Sequence, residues 1–412
     1  MKITLVHGKY FNSWEALGLG YIAAYLKKHI SDIDLRFYQG CFDDEEIIVK
    51  NGSECDIVVF SCTTPTFRYA NEISRRIKEL NPKTRIVVGG YHPSAAPMLS
   101  LNENIDQIVV GEGEGAMLEI VRGNTERIVN GRIMDFDKLP WPDRRLIKNE
   151  RNIMVAYKDT GKRITSFQSH RACPFMCKYC LDGFNKVLYG NAKKAPVRYR
   201  SIRDLLDEME FVTKEFRLDL VKFCDPTWNT NVKWVVEFCK EKIKRGFAIP
   251  FYPNIHAGVC DDEMFNLMAK AGCCEIAIGI ESGSPKILKQ IGKGTTIESI
   301  RRAVKRAKTA GILIRGYFLL GMPEEGSEEI RETEKFAEEL DLDEYGFTIL
   351  CPYPGTQLYN SQIHGNVDWE AADEYSNDFW RTKYLSNAEL KEWQQKLIAK
   401  FKKKITWHNK VI

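Results

Sequence analysis

The stretch 169-SHRACPFMCKYCLDGF-184 sets three cysteines, Cys173, Cys177 and Cys180, within eight residues, with a proline and two aromatics between them. Thiolates at such spacing hold soft metals, and a closed structural zinc site takes four N or S ligands in two close pairs. No second CxxC or HxxxH follows. His170, three residues before Cys173, leaves a zinc reading open, although the chain would have to fold back on a loop already wrapped round the metal. A disulfide between two of the cysteines leaves one thiol over. An iron-sulfur cluster fits the count better: three cysteines on one loop ligate three irons of a [4Fe-4S] cube, and the fourth iron stays open to another ligand.

The cysteine loop follows a strand-like run, ITSFQSH (164 to 170), and the chain then alternates strand and helix patterns. The strand runs are DLVKFCD (219 to 225), IPFYPNIHA (249 to 257), EIAIGIESG (275 to 283), ILIRGYFLLG (312 to 321) and EYGFTILCPYPG (344 to 355). Six strand-and-helix units are fewer than the eight of a closed barrel, so an open, partial barrel is expected. Downstream, NAELKEWQQKLIAKFKKKI (387 to 405) repeats apolar residues at Leu390, Trp393, Leu397 and Phe401, as a helix packed across the barrel with a basic, solvated outer face would. Trp369, Trp380, Trp393 and Trp407 enrich this region in aromatics. Core packing is the first explanation for them and stacking on a flat substrate the second.

Upstream, ITLVH (3 to 7), CDIVVFS (55 to 61), RIVVGG (85 to 90) and DQIVVG (106 to 111) are near-continuous apolar strands with helical patterns between them, the first being WEALGLGYIAAYLKKHI (14 to 30). This pattern predicts a doubly wound, Rossmann-like parallel sheet covered on both faces, with ligands at the carboxyl ends of the strands. Those ends carry Ser61, Thr63, Gly89, Gly90, His92, Gly111, Glu112 and Gly113. Glycines there let a ligand approach main-chain amides, but they also close tight turns in any such domain. GEGEG lacks the GxGxxG spacing of a dinucleotide site and puts carboxylates where a pyrophosphate would sit. MDFDKLPWPDRRL (134 to 146) reads as a linker. The division expected is therefore 1–133, a linker over 134–163, a barrel over 164–356 and a helical region over 357–412.

The 412 residues are 44% hydrophobic and 28% charged, and 60 basic against 56 acidic residues leave a net charge of +4. Basic residues are not gathered into a patch, so nucleic acid is not an expected partner. No signal-peptide core or membrane span fits the N-terminal run, which contains His7, Trp14 and Glu15. Twelve cysteines, most of them single residues in apolar runs (Cys55, Cys62, Cys224, Cys351), point to buried thiols in a reducing, cytoplasmic setting.

CPFMCKYC resembles the CxxxCxxC loop of the radical S-adenosylmethionine (radical SAM) enzymes, whose last spacer residue is aromatic, as Tyr179 is. VKFCDPTWNTN, EIAIGIESGSPKILKQIGKGTT, GILIRGYFLLGMPEE and CPYPGTQLY resemble the successive strand ends of that family's partial (β/α)6 barrel, in order over residues 165 to 356. FSCTTPTF, VVGGYHPSAAP and DQIVVGEGEGAMLEI resemble the N-terminal cobalamin-binding domain of one large subclass. The histidine-bearing DxHxxG loop of cobalamin-dependent mutases is absent, and VHGKYFNSW stands after strand 1. The resemblance therefore implies a cobalamin whose lower face takes no histidine, with loss of cobalamin as the lesser reading.

The resemblance implies that Cys173, Cys177 and Cys180 bind a [4Fe-4S] cluster and that the methionine end of S-adenosylmethionine chelates the open iron. One-electron reduction by a donor such as flavodoxin or ferredoxin would then release a 5'-deoxyadenosyl radical that abstracts a substrate hydrogen. Tyr179 would lie against the adenine, and Asp225, Asn254, His256, Glu281 and Ser282 would touch ribose and methionine. Other readings stand beside these: Glu281 paired with Arg315, Asp225 capping the following helix, and His256 where many relatives carry arginine. Ser61, Thr63, Gly89, Gly90, His92, Gly111, Glu112 and Gly113 would hold the corrinoid. The activity implied is methylation of an unactivated carbon of a small molecule, with a cyclase or oxidative rearrangement as the alternative and a zinc-dependent binding module as the third class.

Overall fold

The computed structural model describes residues 1–10, 13–181, 197–370, 372–375 and 377–402. Residues 182–184 of the quoted motif, Trp407 and residues 403–405 lie outside the described residues.

Six parallel strands open the chain: β1 (Lys2–His7), β2 (Asp34–Gln39), β3 (Ile57–Ser61), β4 (Arg85–Gly89), β5 (Gln107–Val110) and β6 (Ile128–Asn130), in spatial order β2-β1-β3-β4-β5-β6. Each apolar run serves two cores because side chains alternate faces. Ile3, Leu5, Ile57 and Val59 pack under the helices Leu17–His29 and Gly113–Val121. Val6, Val58, Phe60 and Val88 pack under Phe67–Leu80 on the opposite face. The order reverses between β1 and β3, so the crevice at their carboxyl ends is where a ligand is expected.

Sequence patterning missed two of these strands. DLRFYQ in β2 buries only alternate residues, at an edge of the sheet, and β6 is three residues long. The first helix also starts at Leu17 rather than at Trp14.

The second half is an open barrel of parallel strands: β7 (Ile164–Phe167), β10 (Leu220–Phe223), β11 (Phe251–Tyr252), β12 (Asn254–Ile255), β13 (Glu275–Glu281), β14 (Leu313–Leu320) and β15 (Glu344–Ile349). Pro253 separates β11 from β12, and the two pieces together occupy one strand position between β10 and β13. Six positions therefore run from β7 to β15, and among the described residues no pairing closes the ring. Trp228 is fully buried among Phe223, Phe238 and Phe251 on the helical side. Between β7 and β10 a short antiparallel pair, β8 (His170–Arg171) and β9 (Arg198–Tyr199), carries the chain into and out of the cysteine region.

The C-terminal helix, Asn387–Lys400, buries Leu390 and Leu397 against β15, and the Gln394 amide donates to the Phe347 carbonyl (2.9 Å). Lys396 and Lys400 lie on its solvated face and pair with Glu334, at 3.3 and 2.7 Å. Trp380 is core, donating to the Gly321 carbonyl at 2.6 Å. Among the described residues no helix is long and apolar enough to cross a membrane.

The segment expected as a linker is more than a tether. It contains the helix Glu150–Thr160, and Arg144 within it is buried. Arg144 donates to Asn149 Oδ1 (2.8 Å), the Ser166 carbonyl (2.8 Å) and Glu208 Oε1 (3.1 Å), and it lies over the Phe167 ring. Glu208, 1% exposed, also takes Arg200. A buried carboxylate is tolerated only when its charge is met. Arg144→Met is expected to lower the urea-unfolding free energy by about 3 to 5 kcal/mol, with part recovered in the Arg144→Met, Glu208→Leu double variant. A change below about 1 kcal/mol would show the pair to be incidental.

Candidate active site

Main-chain geometry shapes the crevice at the carboxyl ends of β3, β4 and β5. Gly90 has φ of 106°, and a Cβ there would lie 2.5 Å from the Cys62 carbonyl oxygen. Only glycine accommodates that backbone, which turns the chain sharply out of β4. Gly111, with φ of 92°, donates its N–H to Ser94 Oγ (3.0 Å). Across from them Gly18 lines the same space, and a Cβ on it would meet nothing within 4 Å, so its absence keeps that wall flat.

The result is a solvent-open cleft of about 330 Å³. Ser61, Gly89, Gly90, Gly111, Glu112 and Gly113 line it from the sheet, and Gln168, Arg171, Ala172, Leu181, Cys224 and Pro226 line it from the barrel. The residue preceding Cys173 and the residue following Cys180 therefore share a cleft with the first sheet. Thr63 and His92 are not in its lining. Thr63 is occupied in a turn with Thr66, its N–H donating to Thr66 Oγ1 at 2.9 Å. His92 is buried against Phe67, with Nδ1 3.2 Å from Thr64 Oγ1. Among the described residues the lining contains no histidine. Cys224, expected as a buried thiol, is exposed on the cleft wall.

The carboxylates of GEGEG turn toward the barrel. Arg171 meets Glu114 Oε1 at 2.5 Å and Glu112 Oε2 at 3.3 Å, and Arg198 also pairs with Glu112. Burial alone would raise the Glu112 carboxyl, but the two guanidiniums hold it below its ordinary value. This answers the difficulty that GEGEG posed as a ligand loop, because the anionic groups face arginines.

In the cysteine loop, Cys173 and Cys177 are buried and Cys180 is half-buried, and none of the three is in a disulfide. Among the described residues no three His, Cys, Asp or Glu side chains gather as one metal ion would need. His170 does not turn toward the thiols: its Nδ1 lies 3.4 Å from Asp225 Oδ1. Three cysteines on one loop, with His170 turned to Asp225, match the donor count expected of a cluster with an open iron better than that of a closed zinc site.

Neighbouring groups already occupy several residues expected to meet S-adenosylmethionine. Asp225 is fully buried and accepts the Ser169 and His170 N–H groups at 2.9 Å each and the Ser169 hydroxyl at 2.9 Å. His256 accepts the Gly258 N–H at Nδ1 (3.0 Å) and donates from Nε2 to the Lys293 carbonyl (3.1 Å), and its ring stacks on Phe175 at 3.7 Å. Ser282 bonds Thr333 (3.0 Å) and accepts the Ser284 N–H (3.1 Å). These three brace the loop and the strand ends. Asn254, whose amide donates to the Asp225 carbonyl (3.2 Å), is partly exposed. Glu281 pairs with Lys293 (2.6 Å) and accepts the Tyr179 hydroxyl (2.8 Å). The pairing with Arg315 is not formed, because Arg315 binds Glu344.

A model of the B12 binding domain matches residues 3–121, and one of the Radical SAM superfamily matches residues 167–337. An uncharacterized methyltransferase of Pyrococcus horikoshii is 30% identical over 380 residues, covering 85% of this chain and 79% of the relative. The chain is a B12-binding radical SAM enzyme. An anaerobic magnesium-protoporphyrin IX monomethyl ester cyclase of Rubrivivax gelatinosus is 27% identical over 398 residues, covering 87% of the radical SAM chain described here and 69% of the cyclase. In fold, the B12-binding radical SAM chain is similar to the radical S-adenosylmethionine methyltransferase TsrM of Kitasatospora setae, with a TM-score of 0.71 at 18% identity over 95% of this chain and 81% of that one. The cofactors of this B12-binding radical SAM enzyme are accordingly a [4Fe-4S] cluster, S-adenosylmethionine and cobalamin.

His92 yields a pH test of its placement in the core. Burial lowers its pKa from 6.5 to about 4. The folded protein keeps it neutral where the unfolded chain protonates, so stability is lost as pH falls from 6.5 toward about 4. His92→Asn should shrink the difference in unfolding free energy between neutral and acidic urea titrations of the cofactor-free protein, by up to about 3 kcal/mol. An undiminished difference would mean that the imidazole is solvated in the fold.

Proposed function

We propose that this enzyme methylates an unactivated carbon of a small molecule bound between cobalamin and S-adenosylmethionine. The observation that carries the reading is the shared cleft, whose two walls are the glycine-rich strand ends of the first sheet and the residues flanking the cysteine loop. The Pyrococcus relative is named a methyltransferase, which favours methyl transfer. The Rubrivivax relative, named a cyclase, supports a second reading in which the same cofactors drive a radical cyclisation. The proposed division of labour assigns residues 1–133 to the corrinoid and 164–356 to the cluster, joined through 134–163, with 357–412 covering the barrel.

In this proposal Cys173, Cys177 and Cys180 are the cluster ligands, and Ser61, Gly89, Gly90, Gly111 and Gly113 let the corrinoid approach main chain. When bound, the cluster and S-adenosylmethionine supply a 5'-deoxyadenosyl radical, and cobalamin supplies the methyl group. The chain's own residues hold and shield. Asp225 fixes the turn before Cys173 through two main-chain N–H groups. His256 supports Phe175 from beneath and stays neutral, burial lowering its pKa to about 4. Of Asp225, Asn254, His256, Glu281 and Ser282, Asn254 alone has part of its surface open to a ligand. A small one-electron donor protein such as flavodoxin or ferredoxin is part of the proposal.

Three measurements test it. Cofactors released from anaerobically purified protein should include cobalamin by mass spectrometry, and Cys177→Ala should lose iron, sulfide and S-adenosylmethionine cleavage together while keeping cobalamin. With methyl-deuterated S-adenosylmethionine, turnover should give a labelled product and S-adenosylhomocysteine. Consumption of S-adenosylmethionine with no S-adenosylhomocysteine would favour the cyclase reading, and cleavage retained in Cys177→Ala would remove the cluster assignment.

A further inference from the structure

Behind the cysteine loop lies an ion pair that the proposed reaction does not use. Glu281 ends β13 in the left-handed region, with φ of 68°, where the register with β14 shifts between Gly279 and Glu281. Its side chain folds back along the strand over Gly279. A Cβ at Gly279 would lie 2.3 Å from both Glu281 Oε1 and Lys293 Nζ, so only glycine leaves room for the pair. Lys293 Nζ donates to Glu281 Oε1 at 2.6 Å and to the Gly279 carbonyl at 2.7 Å. The two side chains are 8% and 10% exposed.

Three contacts tie the loop to this pair. The Tyr179 hydroxyl donates to Glu281 (2.8 Å), the Lys178 N–H to the Ile291 carbonyl (3.0 Å), and His256, stacked on Phe175, to the Lys293 carbonyl (3.1 Å). Tyr179 stands between Cys177 and Cys180 in the loop, so its bond to Glu281 sets the ion pair one side chain away from those cysteines. Burial works against the charge of Lys293, and the Glu281 carboxylate 2.6 Å away supplies the counter-charge that such a buried ammonium needs. Two opposite unit charges, shielded from water and fixed beside the thiols, act on the cluster far more strongly than surface charges would.

We propose that the Glu281–Lys293 pair sets the reduction potential of the cluster, Lys293 favouring the reduced form and Glu281 opposing it. Reduction adds one electron to the cluster, and nearby charge and hydrogen bonding tune the potential at which this occurs. Removing the lysine leaves a bare carboxylate and makes reduction harder. Removing the carboxylate leaves a bare ammonium and makes it easier. Both residues act through their fields and so are positioning residues. The inference rests on Cys173, Cys177 and Cys180 holding the cluster.

The test is an anaerobic redox titration of full-length, reconstituted protein without S-adenosylmethionine, read by electron paramagnetic resonance of the reduced cluster, with iron and sulfide counted in each sample. Lys293→Met should lower the ratio of reduced to oxidised cluster at a fixed applied potential by about tenfold, and Glu281→Gln should raise it by about tenfold, where tenfold is about 59 mV for one electron. Lys293→Arg should stay near the wild type. Tyr179→Phe breaks the loop's bond to Glu281 without changing charge and should also stay near the wild type. Shifts of the same sign in the two charge variants, no shift in either, or a Tyr179→Phe shift as large as theirs would overturn the proposal. If one charge variant fails to assemble a cluster, the sign of the other's shift decides. Wild-type protein that takes up no iron or sulfide would instead defeat the cysteine assignment on which the inference rests.

Discussion

The guanidinium of Arg171, 13% exposed, lies between the two halves of the chain, two residues ahead of Cys173. It holds Glu114 and Glu112 from the first sheet and lies over the rings of Phe136 (4.8 Å) and Tyr21 (5.3 Å). Either charge alone at this depth would be costly, so the two surfaces are stable together rather than apart. Arg198 extends the contact: β9 pairs with β8 beside Arg171, and its guanidinium meets Glu112. The start of the cysteine loop is thereby fixed against the carboxyl end of β5. The cleft follows from that constraint, since its two walls are the elements that Arg171 joins.

The loop's other supports form a graded series. Asp225 gathers the main chain at Ser169 and His170 just before the loop, while Phe175 rests on His256 within it. Tyr179 and Lys178 fasten its far side to Glu281 and Ile291. The loop is organised by side chains from several barrel strand ends, in keeping with a fold whose sites are built at the carboxyl ends of its strands.

Much of this was legible in sequence because it rests on periodicity and on one dense motif. Near-continuous apolar runs such as ITLVH and IVVF reported a covered parallel sheet, and three cysteines in one loop pointed to the iron-sulfur cofactor that the family carries. Strand β2 escaped because an edge strand that is half polar resembles a loop, and β6 because three residues carry no period. Site residues divided along a different line. Asp225, His256 and Ser282 have the composition expected of ligand contacts, but residue type cannot tell a group facing a cofactor from one spent on its neighbours. The arginine partners of Glu112 and Glu114 lie 57 or more positions away, so no local pattern could show that GEGEG answers to arginines. Arg171 itself stands inside the motif, where the cysteines draw attention away from it.

The central claim is that the corrinoid and the cluster face one another across a single cleft. The direct measurement is pulsed electron paramagnetic resonance of protein poised to hold cob(II)alamin and the reduced cluster together. The account predicts a through-space dipolar interaction that broadens or splits the cobalt signal and disappears in Cys177→Ala, where cobalamin remains without the cluster. Two unperturbed signals that simply add would contradict it.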